Sequence, residues 1–372
     1  MNWFIVKFAL RANHGLILKL GPGKRFMPPK KIGTMEEFAA AVGLSRPTVS
    51  KYFHDAASVR IATRTKIETA IKQTGFRPNI FAVNLNRRRA KIIGLIIPDP
   101  TDPFYMNLAR RIELEATEAG YLALVLSSNG KPELESQAIK TITALNVAGA
   151  IIAPLGTKSQ KSVLKSLGKE MPLVYIDAPL DDEGPFVGTN NFQSIPLITE
   201  YLCRSGEPPT YFDTPWVSSN AQDRRNAYVA TMERLNHEPR FANVPPTNEW
   251  DFEKVSFQET SRLLLGEGFP TATLLCANDR VAFGVLAAMY QAGHKVGFEA
   301  DCKFRVAGHD NQRLSAFTCP PLTTVSQDSD EMGRIALKLL FSRIDNDQTE
   351  SSGNRSNERI LLNAELILRK SA

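Results

Sequence analysis

Two kinds of hydrophobic pattern follow each other along this chain of 372 residues. Between about residues 33 and 78, apolar residues recur three and four positions apart, which predicts short amphipathic helices. From Ile92 onward, short runs rich in Ile, Leu and Val, such as IIGLIIP and PLVYIDAP, alternate with helical stretches. That alternation is typical of a parallel, doubly wound sheet. The pattern therefore predicts a small all-α head and a larger α/β body.

The first predicted helix has clear signals at both ends. Thr34 and Glu37 have the spacing of a capping box, and Gly43 suits the left-handed residue that ends a helix. One apolar face lies between them, formed by Met35, Phe38, Ala39 and Val42. Ser45 can cap a second helix immediately after the turn. Two short helices joined by a glycine-bearing turn predict a helix-turn-helix.

The second predicted helix carries a polar face rich in hydrogen-bond donors. Pro47 falls in its first turn, where backbone N–H groups have no partner within the helix, and Val49 and Phe53 would pack on the first helix. The guanidinium of Arg46 can donate two hydrogen bonds to guanine O6 and N7, and Lys51 can donate to a guanine or a phosphate. The candidate DNA contacts of the head are Thr34, Ser45, Arg46, Pro47, Thr48, Ser50, Lys51 and His54. The alternative is a three-helix bundle with a solvated polar face.

A third helix is predicted to complete the head. One face would carry Ile67, Ala70, Ile71 and Thr74, and the helix would stop at Gly75, before Pro78.

Charge is divided unevenly along the chain. Residues 1–91 hold 18 Lys and Arg against 4 Asp and Glu, whereas residues 92–372 hold 27 against 35. A basic head on an acidic body favours a polyanion-binding module joined to a second function. Residues 1–32 are basic but carry no clear secretion signal. We expect them to be a disordered extension or to precede the true start, near Met27.

Composition argues against several other classes of protein. The chain is 43% hydrophobic and 23% charged, and no stretch approaches the ~18 uncharged apolar residues of a membrane helix. The four cysteines have no metal-like spacing. The sequence shows no serine–histidine arrangement, metal cluster or phosphate-binding loop. We therefore expect no catalytic residue, no metal, no cofactor and no membrane partner.

The motifs together resemble the lactose-repressor (LacI/GalR) family of bacterial transcription regulators. They match in the family's order from about residue 33 to the end: TMEEFAAAVGLSRPTVSKYFH, GFRPNIFAVNLNRRRAKIIGLIIPD, DPFY, RRNAY, ANDRVAFG, VAGHD and PPLTTVSQD. The resemblance implies a repressor that binds double-stranded operator DNA as a homodimer, with a tetramer left open, in the bacterial cytoplasm at the nucleoid.

The resemblance also implies how the chain is divided. The ligand domain would have the two-lobed periplasmic-binding-protein type 1 fold. A hinge after the head would contact DNA through Asn79, Leu85 and Asn86, with Leu85 wedged into the minor groove. The implied bounds are 1–32 for the extension, 33–78 for the helix-turn-helix domain, 79–91 for the hinge and 92–368 for the ligand domain, with lobe 1 at about 92–190 and 326–342 and lobe 2 at about 191–325 and 343–368.

Polar residues at predicted strand ends converge on a ligand cleft, as is usual in open parallel sheets. By resemblance, the residues that would bind a small effector, most often a sugar, are Asp102, Phe104, Tyr105, Asn190, Arg224, Trp250, Asn278, Asp310 and Gln327, with Phe252 as an alternative to Trp250. Asp102 has a second interpretation as a helix cap, and for Asp279 we favour a cap over a ligand contact. His309 stands where the family usually has Phe or Tyr.

Two other functional classes remain as alternatives. A periplasmic sugar-binding receptor would need a signal peptide and no helix-turn-helix, the reverse of what is present. A glycosidase would need a carboxylate pair, for which Asp99 and Asp102 are the candidates. These two residues share one short proline-rich loop, which makes the enzyme the weakest alternative.

Overall fold

The computed structural model describes residues 32–77, 89–181, 184–213, 219–247, 250–348 and 358–372. The described residues belong to two compact units that divide between residues 86 and 87. We call the smaller unit the head and the larger unit the body. Residues 1–31 and 78–88 lie outside the described residues, so the proposed extension and most of the proposed hinge do too.

Three helices form the head, α1 (Met35–Val42), α2 (Arg46–His54) and α3 (Ile61–Thr74). The predicted capping box is present, since Glu37 N donates to Thr34 Oγ1 at 3.1 Å and Thr34 N donates to the Glu37 carboxylate at 3.3 Å. Gly43 has a left-handed φ of 67°, which lets the chain turn after two helical turns. Ser45 Oγ accepts from Thr48 N at 3.3 Å and caps α2. The local signals of the sequence are therefore confirmed.

The core of the head is built where the three helices meet. Phe38, Val49 and Ile67 are fully buried, one from each helix. Phe38 stacks on Phe76 with ring centroids 4.3 Å apart. Thr74 was expected on the buried face of α3 but is exposed. Phe76, which follows the helix, packs into the core instead, because its ring buries far more apolar area than a threonine side chain.

The first lobe of the body is a parallel sheet covered by helices on both faces. Its strands are β1 (Ala90–Ile97), β2 (Leu122–Ser127), β3 (Val147–Ile152), β4 (Leu173–Ile176), β5 (Phe186–Thr189) and β11 (Arg359–Leu362). They lie in the order β11-β5-β4-β3-β1-β2. The helices are α4 (Pro103–Glu118), α5 (Pro132–Ala144), α6 (Lys161–Glu170) and α11 (Ser329–Gln348). Separate apolar clusters fill the two faces.

The second lobe is a smaller sheet of the same kind. Strands β6 (Thr210–Phe212), β7 (Arg240–Phe241), β8 (Thr273–Cys276) and β9 (Arg305–Ala307) are parallel and lie in the order β7-β6-β8-β9. Beside them, β10 (Thr324–Ser326) and β12 (Glu365–Ile367) form an antiparallel pair. The helices are α7 (Asn191–Ser205), α8 (Ser219–Arg234), α9 (Phe252–Leu265) and α10 (Asp279–Gln291). The predicted fold class, an all-α head and a doubly wound body, is confirmed.

The chain passes between the lobes three times: after β5, after β10 and after β11. The expected boundary at the third passage was wrong. Residues 343–368 were assigned to lobe 2, but β11 pairs in parallel with β5 and Ile344 is buried in the first-lobe core. The long helix α11 stays on the first lobe to its end, and β11 adds a strand beside β5 that satisfies the backbone groups of that edge. Only the last part, from β12 onward, lies in lobe 2.

Candidate DNA-binding helix and effector cleft

The polar face predicted for α2 lies on the surface of the head. Ser45, Arg46, Pro47 and Lys51 are exposed. Thr34 is exposed as well, and Thr48 and Ser50 are half-buried. Of His54 the structure describes only the backbone, and Asn79, Leu85 and Asn86 lie outside the described residues. The structure thus presents the first turn of α2 to solvent, as base contact by the N-terminal end of a recognition helix would require.

Arg46 has an acidic partner in the neighbouring helix. Its Nε lies 2.5 Å from Glu36 Oε1, and both side chains are more than half exposed. An exposed pair of this kind contributes little to stability, because water screens it. The guanidinium can therefore exchange Glu36 for another acceptor at low cost. Among the head residues 32–77, seven Lys and Arg face four Asp and Glu, so the described part of the head is basic.

A second candidate site lies in the cleft between the two lobes of the body. It is lined by eight of the nine predicted effector residues, Asp102, Phe104, Tyr105, Arg224, Trp250, Asn278, Asp310 and Gln327, and also by Asp177, Asn220 and Phe252. Most of these residues follow the carboxyl ends of strands or begin the next helix. The cavity measures about 50 Å³, well below the roughly 300–1,000 Å³ of small-molecule pockets. A sugar-sized ligand therefore needs the lobes to separate or side chains to move.

Arg224 and Asp310 form a buried pair in the second lobe. Arg224 Nη1 lies 3.3 Å from Asp310 Oδ1 and donates to the Ala277 carbonyl at 2.8 Å. Gln327 Nε2 donates to the same Asp310 oxygen at 2.5 Å. Burial raises the pKa of Asp310, while Arg224 and the bond from Gln327 lower it. The cleft thus places a fixed cation and an acceptor side by side, an arrangement that suits vicinal hydroxyls.

Asn190 was predicted to contact the effector, but it is not among the lining residues. Its side chain donates to Asn363 Oδ1 at 3.2 Å, at the third passage between the lobes. The next residue, Asn191, is the one that reaches the cleft arginine, accepting from Arg224 Nε at 3.2 Å. Both asparagines lie where β5 becomes α7, and the first turn of the helix decides which one points inward.

Asp177 lies on the first-lobe side of the cleft and was missed by the sequence analysis. Tyr105 Oη donates to its Oδ2 at 2.9 Å, and Asn220 Nδ2, from the second lobe, donates to its Oδ1 at 2.8 Å. Burial raises the pKa of Asp177 to about 6, with Arg224 acting in the opposite direction. Asp177 directly follows β4, so the rule that ligands bind at strand ends was a signal that could have found it.

Arg280, also missed, connects the two lobes by ion pairs. It lies in α10, and its Nη1 is 3.2 Å from Asp99 Oδ2 and 3.3 Å from Asp102 Oδ2, both in the first lobe. From its own lobe, Glu253 accepts from Nε at 2.8 Å. Asp102 also accepts from Phe104 N at 2.9 Å and caps α4, so its cap and its cleft position coexist. Asp99 and Asp102, the pair considered for a glycosidase, thus both form ion pairs with Arg280. This pairing argues against the glycosidase alternative.

The aromatic side chains of the cleft come from both lobes. Trp250 and Phe252, offered as alternatives, both line it, and their rings stack with centroids 5.8 Å apart. Trp250 packs against Gly130 of the first lobe so closely that a β-carbon there would lie 2.1 Å from Nε1. Phe104 completes the apolar part of the lining. Flat apolar rings beside polar groups are the usual composition of a ligand pocket.

The expected cap of α10 was wrong by one residue. Asn278, not Asp279, is the N-cap, and its Oδ1 accepts from Val281 N at 2.8 Å. Asp279 is fully buried and accepts instead from Gln312 N at 2.8 Å and from Thr324 Oγ1 at 2.6 Å. Burial raises the pKa of Asp279 to about 7. Asn278 therefore combines a capping role with a place in the cleft wall.

A serine–histidine contact, which the sequence analysis did not find, is present in the second lobe. Ser194 Oγ lies 2.8 Å from His309 Nε2, and His309 Nδ1 lies 3.1 Å from Asp310 Oδ1. Both Ser194 and His309 are fully buried. A catalytic serine must reach its substrate, so this chain of contacts cannot act as a hydrolase triad.

Two further features are absent from the described residues. No group of three or more His, Cys, Asp or Glu residues there is arranged to hold a metal ion. No described helix is long and apolar enough to cross a membrane.

Comparison with known proteins assigns both units. Residues 34–79 match the model of the bacterial regulatory proteins of the lacI family, and residues 210–372 match that of the periplasmic binding protein-like domain. The ribose operon repressor of Escherichia coli (strain K12) is 29% identical over 84% of this chain and 93% of its own. The HTH-type transcriptional repressor PurR of Mannheimia succiniciproducens is 26% identical over 91% of this chain and 98% of its own.

A solved structure supports the same assignment over most of the chain. The Lac repressor dimer bound to operator and the anti-inducer ONPF superimposes with a TM-score of 0.76, at 25% identity, over 91% of this chain and 98% of that one. The protein is thus a helix-turn-helix regulator with a periplasmic-binding-protein-like ligand domain. It is similar to the lacI family of bacterial regulatory proteins, the family that the sequence motifs indicated.

The matched domains and the similar repressors support one general function. The chain is a DNA-binding transcription regulator controlled by a small-molecule effector, and repressors of this family bind operator DNA and act as dimers. The relatives are repressors rather than enzymes, in agreement with the predicted absence of catalysis.

Proposed function

We propose that this protein represses transcription as a homodimer and that a sugar or sugar derivative, bound between the lobes, changes its affinity for one operator. The observation that carries the proposal is the Arg224–Asp310 pair in a cleft lined by aromatic rings. Relatives named for ribose and for Lac repression support the sugar class. The place of action is the bacterial cytoplasm, where the operator lies in the nucleoid.

In the head, Arg46 donates two hydrogen bonds to a guanine, and Lys51 donates to a guanine or a phosphate. Ser50 positions the helix on the DNA backbone, as do Thr34, Ser45 and Thr48 near the exposed helix starts. Pro47 fixes the turn that aims Arg46. The hinge would cover residues 79–91, with Leu85 as the minor-groove wedge between Asn79 and Asn86. These three residues lie outside the described part of the chain.

In the body, Arg224, Asp310 and Gln327 would bind ring hydroxyls, while Trp250 and Phe104 would stack on the apolar face of the sugar. Asp102, Tyr105 and Asn278 would close the site from the two sides of the cleft. A dimer is proposed as the active form because the Lac repressor, a structural relative, is bound to its operator as a dimer.

The test is a thermal-shift screen of sugars, sugar acids and polyols on the full chain, followed by operator binding with each compound that shifts the transition. A compound at 100 times its Kd should stabilise the fold by about 2.7 kcal/mol. The proposal predicts that such a compound also changes the affinity for an operator obtained by binding-site selection. A compound that stabilises the protein but leaves operator affinity unchanged would show that the cleft does not control DNA binding.

A further inference from the structure

A buried chain of three side chains ends in the cleft. Ser194 Oγ contacts His309 Nε2 at 2.8 Å, and His309 Nδ1 contacts Asp310 Oδ1 at 3.1 Å. Ser194 lies in the first turn of α7, just after the first passage between the lobes, and His309 follows β9. His309 is therefore the link between the start of α7 and the cleft carboxylate.

The surroundings of His309 determine which ring nitrogen carries its proton. Burial and the nearby Arg224 lower the pKa of His309 well below its usual value, so the ring is neutral and has one N–H. Nδ1 faces a carboxylate oxygen that has only lone pairs to offer, so the proton resides on Nδ1. Nε2 is then an acceptor for the Ser194 hydroxyl. Every polar atom of the ring has a complementary partner.

Asp310 is held entirely through one of its two oxygens. Among the described residues, Asp310 Oδ1 accepts from three nitrogen donors: His309 Nδ1 at 3.1 Å, Gln327 Nε2 at 2.5 Å and Arg224 Nη1 at 3.3 Å. Three donors on one oxygen fix the orientation of the carboxyl group, and Arg224 and Gln327 favour its ionised form against the effect of burial. The side chain lines the cleft, so Oδ2 is the atom that remains for a ligand. A carboxylate oxygen accepts hydrogen bonds and donates none, so its partner must be a donor.

The two arginines at the cleft are already neutralised by the protein. Arg224 pairs with Asp310, and Arg280 pairs with Asp99 and Asp102. Asp177 adds a further carboxyl group to the lining. Among the residues that the structure describes at the cleft, an anionic ligand would therefore meet acceptor oxygens and no unpaired cation. Burying such a charge unpaired is costly.

We propose that His309 is a positioning residue that fixes Asp310 as an acceptor for effector hydroxyls, so that the cleft selects uncharged polyhydroxyl compounds over carboxylate- or phosphate-bearing ones. The proposal rests on the effector role assigned to the cleft above. It gives the His309 side chain a task that depends on its ring N–H group, which donates to Asp310 Oδ1.

The ligand class is tested first by isothermal titration of the full chain. The probes are aldopentoses and aldohexoses, the aldonates of the same sugars, and their 5- or 6-phosphates. The proposal predicts that the tightest probe is an uncharged sugar and that its aldonate and phosphate bind on the order of 10- to 100-fold more weakly, the range set by hydrogen bonds to charged groups. An aldonate or phosphate that binds more tightly than its parent sugar, or a panel in which nothing binds, overturns it.

The role of His309 is tested with two matched variants. His309→Asn keeps an N–H close to the position of Nδ1, whereas His309→Gln places its amide nearer to the position of Nε2. With the tightest sugar and its deoxy analogues, wild type should show one hydroxyl whose removal weakens binding most. That loss should persist in His309→Asn and shrink in His309→Gln by on the order of tenfold, equal to 1.4 kcal/mol. Equal behaviour of the two variants would mean that His309 only fills space.

Operator binding without ligand is measured on the same preparations and separates this proposal from the proposed function. Both variants should bind the selected operator as wild type does, because His309 lies in the body. One outcome is that the variants His309→Asn and His309→Gln behave alike while operator binding still responds to a sugar. That result contradicts the positioning role of His309 and leaves the proposed regulatory function intact. If wild type binds no operator, or no bound compound alters operator binding, the proposed function itself fails.

Discussion

Arg280 and Asp102 face each other across the cleft, with Nη1 of the arginine 3.3 Å from Oδ2 of the aspartate. Asp99 lies at 3.2 Å from the same nitrogen, and Glu253 holds the guanidinium from its own lobe. The arginine side chain is only 6% exposed, so the pairs are poorly screened. Separation of the lobes therefore breaks a buried ion cluster. Since the cleft is small as it stands, an effector that enters by separating the lobes works against these contacts.

Arg280→Met should weaken the joint between the lobes. It leaves Asp99 and Asp102 buried without their cation, which typically costs about 3–5 kcal/mol. We expect a lower thermal transition of the body and a larger radius of gyration in solution scattering. Arg262→Met is the matched control, because Arg262 is an exposed arginine paired with Glu259 within α9. Equal transitions for the two variants would mean that the cluster does not hold the lobes together.

Arg224→Ala should abolish the effector response and leave operator binding near wild type. Arg224 lies beside Asp310 in the cleft, and each hydrogen bond that its charged guanidinium makes to a ligand should contribute about 1.5–3 kcal/mol. Arg225→Ala is the control, since the neighbouring arginine pairs with Asp213 at 2.5 Å and does not line the cleft. Calorimetry with the best sugar measures both. Unchanged affinity in Arg224→Ala would mean that the cleft assignment is wrong.

Arg46→Ala should weaken specific DNA binding and relax base preference at one position in each half-site. A bidentate guanine contact is worth about 1–3 kcal/mol of discrimination. Glu36→Gln removes the acidic partner of Arg46 at 2.5 Å and should leave the preference intact while increasing affinity. Binding-site selection at one salt concentration measures both variants. If Arg46→Ala selects the same half-site with the same information at every position, Arg46 contacts only phosphate.

Asp177 should make the free energy of unfolding fall as the pH rises. Burial raises its pKa to about 6 in the folded state, above the value near 4 of an unfolded chain. The folded protein therefore holds the proton longer, and the stabilisation present below about pH 4 is lost as the pH rises through about 6. Asp177→Asn cannot titrate, and asparagine tolerates the φ of 66° at this position.

The measured quantity is the thermal transition of wild type minus that of Asp177→Asn. It should fall by the equivalent of up to about 3 kcal/mol between pH 4 and 7 and stay level above that range. Asp102 and Asp279 titrate in both proteins, so their contributions largely cancel in the difference. A difference that rises with pH would show that Asp177 is stabilised as the carboxylate.

Local signals predicted the head almost completely. Capping at Thr34 and Ser45 and the left-handed Gly43 depend on residues a few positions apart, which a sequence displays directly. In the body, Arg224, Asp310 and Gln327 were assigned to the cleft through the motifs that carry the family resemblance, and all three line it. Only Asp310 was also marked by its position directly after a predicted strand.

The remaining cleft residues depend on packing between distant parts of the chain. Arg280 meets Asp99 only because the lobes approach each other, across 181 positions of sequence. Asn190 and Asn191 differ by one position at the start of α7, and a pattern cannot decide which side chain turns inward. Strand β11 was misplaced because its partner β5 lies about 170 residues earlier, so nothing local marks the pairing.

The central claim is that a ligand in the cleft controls DNA binding by the head. Its most direct test is the affinity of the full chain for a selected operator, measured at one salt concentration with and without the tightest sugar, in wild type and Arg224→Ala. Without sugar, the two proteins should have equal affinities, and adding sugar should change the affinity of wild type alone. It is contradicted if both proteins respond equally to the sugar, or if the wild-type affinity does not change when the cleft is saturated.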